Sequence, residues 1–106
     1  MTHNDDEVRS ATIAAGTTFG TLSFLVDWDI EEEYDAESRL YIVSDPHTLQ
    51  YATGDTPDEA RDAYVKTLGE YMHELRRYAG ADDETVRNFG LHSLEVLRGV
   101  LKGSGA

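Results

Sequence analysis

The stretch Thr53-Gly54-Asp55-Thr56-Pro57-Asp58-Glu59-Ala60 is a helix start written in full. Thr56 can accept from the backbone N–H of Glu59 while Glu59 reaches back to the N–H of Thr56. This is a capping box, with Pro57 at the first helical position, where its missing donor is no loss. Asp55 and Asp58 bring negative charge to the positive end of the helix dipole. Arg76 and Arg77 bring positive charge to the other end, ahead of Gly80 as a left-handed stop. Between them Ala60, Ala63, Tyr64, Thr67, Leu68, Tyr71, Leu75 and Tyr78 recur at steps of three and four. A helix from Pro57 to about Tyr78 therefore has one face that must lie on something apolar.

Upstream of that helix the period changes to two. Leu22, Phe24, Val26, Trp28 and Ile30 alternate with polar residues from Thr21 onward, the pattern of a half-buried strand. Glu31 to Ser38 is polar and acidic and reads as a loose hairpin connection. Arg39 to Ser44 is a second strand, stopped by Asp45-Pro46-His47, and Leu49 to Ala52 a short third. Residues 1–17 show no convincing apolar face and read as a flexible arm or a short, frayed helix, with 18–102 as one domain and 103–106 as a flexible tail. Downstream, Asp82-Asp83-Glu84 opens a second helix extending to Lys102. Its Val86, Phe89, Leu94, Leu97, Val100 and Leu101 share one arc, and Gly90 and Ser93 let another backbone come close. The order is strand, strand, strand, helix, helix. The expected fold is α+β, a three-stranded antiparallel sheet with two helices packed on one face.

Composition narrows the function classes. The chain has 106 residues, enough for one modest core, and no cysteine, which removes disulfides, thiolate metal sites and thiol nucleophiles. No segment reads as a signal peptide or a membrane span, so the expected location is cytoplasmic. The net charge is −12, and it is unevenly placed: residues 1–60 hold 14 of the 21 acidic groups against only Arg9 and Arg39, while residues 61–106 hold seven of each sign. Such a surface repels phosphate backbones and attracts basic partners. With only Lys66 and Lys102 as lysines, the same balance also arises when a whole proteome adapts to high salt, and charge patterning alone leaves both origins open.

Leu40-Tyr41-Ile42-Val43-Ser44, a short third strand, and then Gly54-Asp55-Thr56-Pro57-Asp58-Glu59-Ala60 with Ala63, Leu68 and Tyr71 together resemble the HicB family. These are antitoxins of bacterial and archaeal toxin–antitoxin pairs. The resemblance runs from about Thr21 to Tyr78 and implies the family's partial ribonuclease-H-like fold. As function it implies the binding and neutralisation of a small basic HicA-type ribonuclease. Where the family has a proline–leucine–proline–glycine type of turn, this chain has Ser44-Asp45-Pro46-His47-Thr48-Leu49. Where the family commonly adds a further strand or a DNA-binding module, Asp82 to Lys102 reads as a single helix.

The chemistry-bearing residues support binding more than catalysis. Asp27, Asp29, Asp45 and Glu59 could be imagined as a carboxylate set for paired Mg²⁺ ions, but their spacing does not force convergence, and Asp27 and Asp29 alternate onto the solvent face. His3, His47, His73 and His92 lack a zinc spacing, and no serine or threonine sits in a nucleophile elbow. No enzyme, catalytic residue, metal or cofactor is expected. Trp28, Tyr34 and Tyr41 lack the basic neighbours of a base-stacking platform, and Trp28 shares the core alternation of Phe24 and Val26. The candidate partner-binding residues are Asp27, Asp29, Glu31, Glu32, Glu33, Asp35 and Glu37. They would pair with lysines and arginines on a basic protein that acts on RNA and compete with its substrate. Two further classes stand beside this one: an acidic nucleic-acid mimic that inhibits another enzyme, as a viral anti-defence protein would, and an oligomerisation module. A homodimer or larger assembly is expected, with no direct nucleic-acid or membrane partner.

Overall fold

The computed structural model describes residues 8–103. Helix α1 (Pro57–Ala79) starts as its sequence dictates: the Thr56 side chain accepts the Glu59 N–H at 3.1 Å, Pro57 opens the first turn, and Arg76 and Arg77 lie in the last. Glu59 closes the box one residue earlier than expected, taking the N–H of Asp55 at 3.2 Å. Gly54 is required at the strand–helix junction, because a Cβ there would lie 2.4 Å from the backbone nitrogen of Ala60. At the other end Gly80 has φ −99°, so the helix stops without a left-handed residue; the Gly80 N–H returns to the Arg77 carbonyl at 3.2 Å in one tightened turn.

The α+β class holds, but the sheet is more extensive than three strands. Among the described residues there are seven strands in two antiparallel sheets. The larger has the order β1 (Val8–Ile13), β4 (Trp28–Asp35), β5 (Leu40–Ser44), β6 (Tyr51–Gly54); the smaller has the order β2 (Thr18–Phe19), β3 (Leu22–Phe24), β7 (Leu101–Gly103). Four differences from the sequence reading account for this.

First, the segment read as an arm supplies β1, whose Ala11 and Ile13 turn inward opposite Ile30 and Trp28. Its residues are small and carry little hydrophobic signal; pairing with a strand some twenty residues away makes it a strand. Residues 1–7 and 104–106, part of the expected arm and nearly all of the expected tail, lie outside the described residues.

Second, the strand expected from Thr21 to Ile30 breaks at Leu25 to Asp27, where the chain leaves the small sheet for the large one. Phe24 and Trp28 are buried on either side, whereas Leu25 and Val26 are exposed. The Leu25 N–H donates to the Val100 carbonyl at 2.7 Å, and the Asp27 carboxylate accepts from the Ala15 N–H at 2.8 Å.

Third, the acidic loop is strand as far as Asp35, since Ile30, Glu32 and Tyr34 point inward in register with β5. The reversal is a tight turn over residues 36–39, with Arg39 at φ 59° and Asp35 Oδ2 accepting from Ser38 Oγ at 2.6 Å. The short third strand likewise lies two residues later than expected, because Leu49 takes φ 63° and belongs to the turn.

Fourth, helix α2 (Glu84–Arg98) is shorter than expected. Asp83 caps it by accepting the Val86 N–H at 3.1 Å, and after a turn at Gly99 and Val100 the chain forms β7 beside β3. The apolar arc that seemed to extend the helix through Val100 and Leu101 instead reports burial of a turn and a strand.

Helix α1 covers the inward face of β5 and β6, and α2 rests mainly on α1. Gly90 makes the second contact possible: a Cβ there would lie 2.5 Å from the Ala79 nitrogen and 2.8 Å from the Leu75 carbonyl oxygen. The core sits between sheet and helices, with Ile13, Ile30, Val43, Tyr64, Leu68 and Leu75 almost fully buried.

Candidate interaction surface

With α1 on one side of the large sheet, its other side carries no helix among the described residues, as antiparallel sheets permit. The alternation along β4 decides what shows there. Trp28, Ile30, Glu32 and Tyr34 face α1, so Asp29, Glu31, Glu33 and Asp35 project from the open face. Successive carboxylates are about 7 Å apart along the strand. The flanking positions on that face are Val8, Ser10 and Thr12 of β1, Leu40, Ile42 and Ser44 of β5, and Tyr51 and Thr53 of β6. None of them is basic. The face is thus a row of four acids with hydroxyls on one side and an apolar strip of Leu40, Ile42 and Tyr51 on the other.

The seven candidate acids therefore separate. Asp29, Glu31, Glu33 and Asp35 come together. Glu32 points the other way and pairs with Arg61 of α1, and both side chains are largely covered. Asp27 lies in the turn between the sheets, held by Ala15, and Glu37 lies in the β4–β5 turn. Within the row, Asp29 accepts a bond from Thr12 Oγ1 at 3.3 Å. The Asp35 carboxyl titrates below its ordinary range, chiefly because the Ser38 hydroxyl donates to the charged form, so this acid stays ionised in moderately acidic solution. The apolar strip was missed from sequence. Its signal was the alternation of Leu40 and Ile42 against Tyr41 and Val43, which puts the half-buried Leu40 and Ile42 on the face opposite α1.

The carboxylates imagined as a metal set do not converge: Asp27 is in a turn, Asp29 on the open face, Glu59 at the start of α1, and Asp45 2% exposed beneath the β5–β6 turn. Among the described residues no group of three or more histidines and acids is arranged to hold an ion. Asp45 is occupied internally. Its Oδ1 accepts from the N–H groups of His47 and Thr48, and its Oδ2 from the hydroxyls of Thr48 and Tyr64. Tyr64 in turn accepts from Trp28 Nε1 at 2.8 Å. Burial, reinforced by the Asp45 carboxylate, pushes the Tyr64 phenol far above its ordinary value. Trp28 thus belongs to the core, with the His47 ring 5.0 Å away. The rings of Tyr34 and Tyr41 lie 4.9 Å apart, tilted by 53°, on the same inward side, away from the acidic row.

A cleft of about 700 Å³ separates the β2–β3 hairpin from α1. Its floor is Phe19, Leu22, Val65 and Gly69, and its rim is of mixed charge, including Asp62, Lys66, Glu70 and Glu74. No helix among the described residues is long and apolar enough to cross a membrane. No protein-family model, curated protein or solved structure matches the chain.

Proposed function

We propose that this chain is a HicB-like, antitoxin-type binding protein of the cytoplasm that neutralises a small basic RNA-acting toxin through the open face of its large sheet, without catalysis of its own. The observation that carries the reading is the row Asp29, Glu31, Glu33, Asp35 on a face with no base at any neighbouring position. Four fixed negative charges on a rigid strand oppose lysines and arginines that would otherwise hold an RNA backbone. Leu40, Ile42 and Tyr51 beside them supply apolar area for a contact that outlasts the first encounter. The sequence resemblance to HicB antitoxins, from about Thr21 to Tyr78 and carried by Leu40 to Ser44, Gly54 to Ala60, Ala63, Leu68 and Tyr71, supports the reading.

A second reading, an acidic nucleic-acid mimic directed at some other enzyme, is favoured by the regular spacing of the same row, which repeats single charges as a phosphate strand does.

The test is capture of the protein from its own host, followed by native mass spectrometry near the host's internal salt. The antitoxin reading expects a stoichiometric complex with a small basic protein encoded beside it, dissociating as salt rises. Charge reversal by Glu31→Lys with Glu33→Lys should weaken that complex at least tenfold with the circular dichroism unchanged. A basic partner encoded elsewhere would favour the mimic, and capture of no basic protein would overturn both.

A further inference from the structure

We propose that the free edge of β1 is a self-association surface, across which two copies pair antiparallel about a two-fold axis and join their large sheets into one of eight strands. The inference is independent of what the acidic face binds.

Strand β1 ends the large sheet, with β4 on one side and no described strand on the other. An exposed edge offers a row of backbone donors and acceptors, and natural proteins guard such edges with lysines, prolines, bulges or very short strands. Here β1 is six residues long, pairs in unbroken register with β4, and contains neither lysine nor proline. Val8 at its start is 54% exposed.

Charge identifies the occupant. Residues 8–26 contain no Asp or Glu, whereas residues 27–37 contain seven, in a chain of net charge −12. Asp5, Asp6 and Glu7 precede β1 in sequence, but residues 8–13 themselves carry Arg9 and no carboxylate, so another copy of so acidic a molecule meets less like charge along this strand than along β4. The opposite edge, β6, is likewise free of acids and flanked by them, at Asp55, Asp58 and Glu59, but it has only four residues and no base, so it offers a second copy the shorter seam.

The geometry sets the register. For both copies to keep their helices on the same side, residues opposed across the new seam must share a face, so either Ser10 or Ala11 lies opposite itself. In the first case Ser10 meets Ser10 and Val8 meets Thr12; in the second Ser10 meets Thr12. The two β4 rows are then three strand spacings apart, about 14 Å. That exceeds the screening length of about 8 Å at physiological salt and falls well inside the roughly 30 Å at 0.01 M. The dimer should accordingly strengthen with salt, the reverse of a complex between this acidic face and a basic partner.

The test is sedimentation velocity of the full chain alone, over micromolar concentrations, at about 0.01 M and 0.5 M sodium chloride. The expected result is a reversible dimer whose dissociation constant falls at least tenfold between the two. The double variant Ser10→Lys, Thr12→Lys sets lysine opposite lysine in either register, while within one copy the new lysines face Glu31 and Asp29 and support the β1–β4 pairing. It should raise the dissociation constant tenfold or more at high salt with unchanged circular dichroism. A wild-type chain that stays monomeric at 0.5 M salt overturns the proposal. So does a dimer that the double variant leaves intact, which would assign association to the β6 edge or to the exposed Val86, Phe89 and Val96 of α2.

Discussion

The hydroxyl of Tyr64 is held inside the core between a donor, Trp28 Nε1, and an acceptor, the buried Asp45 carboxylate. Tyr64→Phe removes both bonds and leaves a buried indole N–H and a carboxylate each short of a partner. Urea unfolding at neutral pH should show a loss of about 1–3 kcal/mol. The same variant has a distinct alkaline signature. Because the folded-state value lies above the ordinary 10.0, the unfolded chain releases this proton first, and stability falls as pH rises above about 10. The limiting slope is about 1.4 kcal/mol per pH unit. Replacing the phenol should flatten that limb relative to wild type, although other tyrosines still titrate. None of this was legible in the sequence. Asp45 read as a turn residue beside Pro46 and Tyr64 as one more member of an apolar face, and nothing in local spacing says that a residue 19 positions away supplies the partner. The cap at Thr56 was legible because every atom it uses lies within four residues.

Elements that owe their existence to distant pairing were the ones the sequence hid. Strand β1 has small side chains and is made by β4; the break at Leu25 to Asp27 follows from the need to leave one sheet for another, and apolar residues there made it look continuous. Of the acidic row, Asp29, Glu31, Glu33 and Asp35 could be named as acids, but not as a face until Glu31 to Asp35 proved to be strand, which also sent Glu32 to Arg61. The α1–α2 contact was partly legible through Gly90, where close approach was expected and occurs. Two glycines, one inside α2 and one just past its end, allow a controlled comparison. Gly90→Ala improves helix propensity by about 1 kcal/mol, yet drives a methyl into the α1 backbone, and should be net destabilising by about 1–3 kcal/mol. Gly99→Ala meets only the Val96 carbonyl oxygen at 3.4 Å and should be neutral within about 0.5 kcal/mol. Thermal denaturation of the pair checks both, at roughly 4–8 °C per kcal/mol for a chain near this size.

For the molecule as a whole, charge repulsion is what packing leaves uncompensated. Fourteen acids against two bases in residues 1–60 repel one another in the folded state more than in an expanded chain. The melting temperature should therefore rise as sodium chloride is raised from about 0.01 M toward 0.5 M, where the screening length drops from roughly 30 Å to a few ångströms. A melting curve indifferent to salt would mean that local pairs such as Glu32–Arg61 already compensate. The small sheet adds a constraint of a different kind, one of time. Leu22 and Phe24 of β3 find their strand partners at Gly103 and Leu101, about 80 residues later. At a synthesis rate of about 5–20 residues per second, the hairpin of β2 and β3 waits on the order of ten seconds on the ribosome before its third strand exists. All of the large sheet and α1 are made before β7 and can form first, so residues 101–103 close a structure whose acidic face is already built.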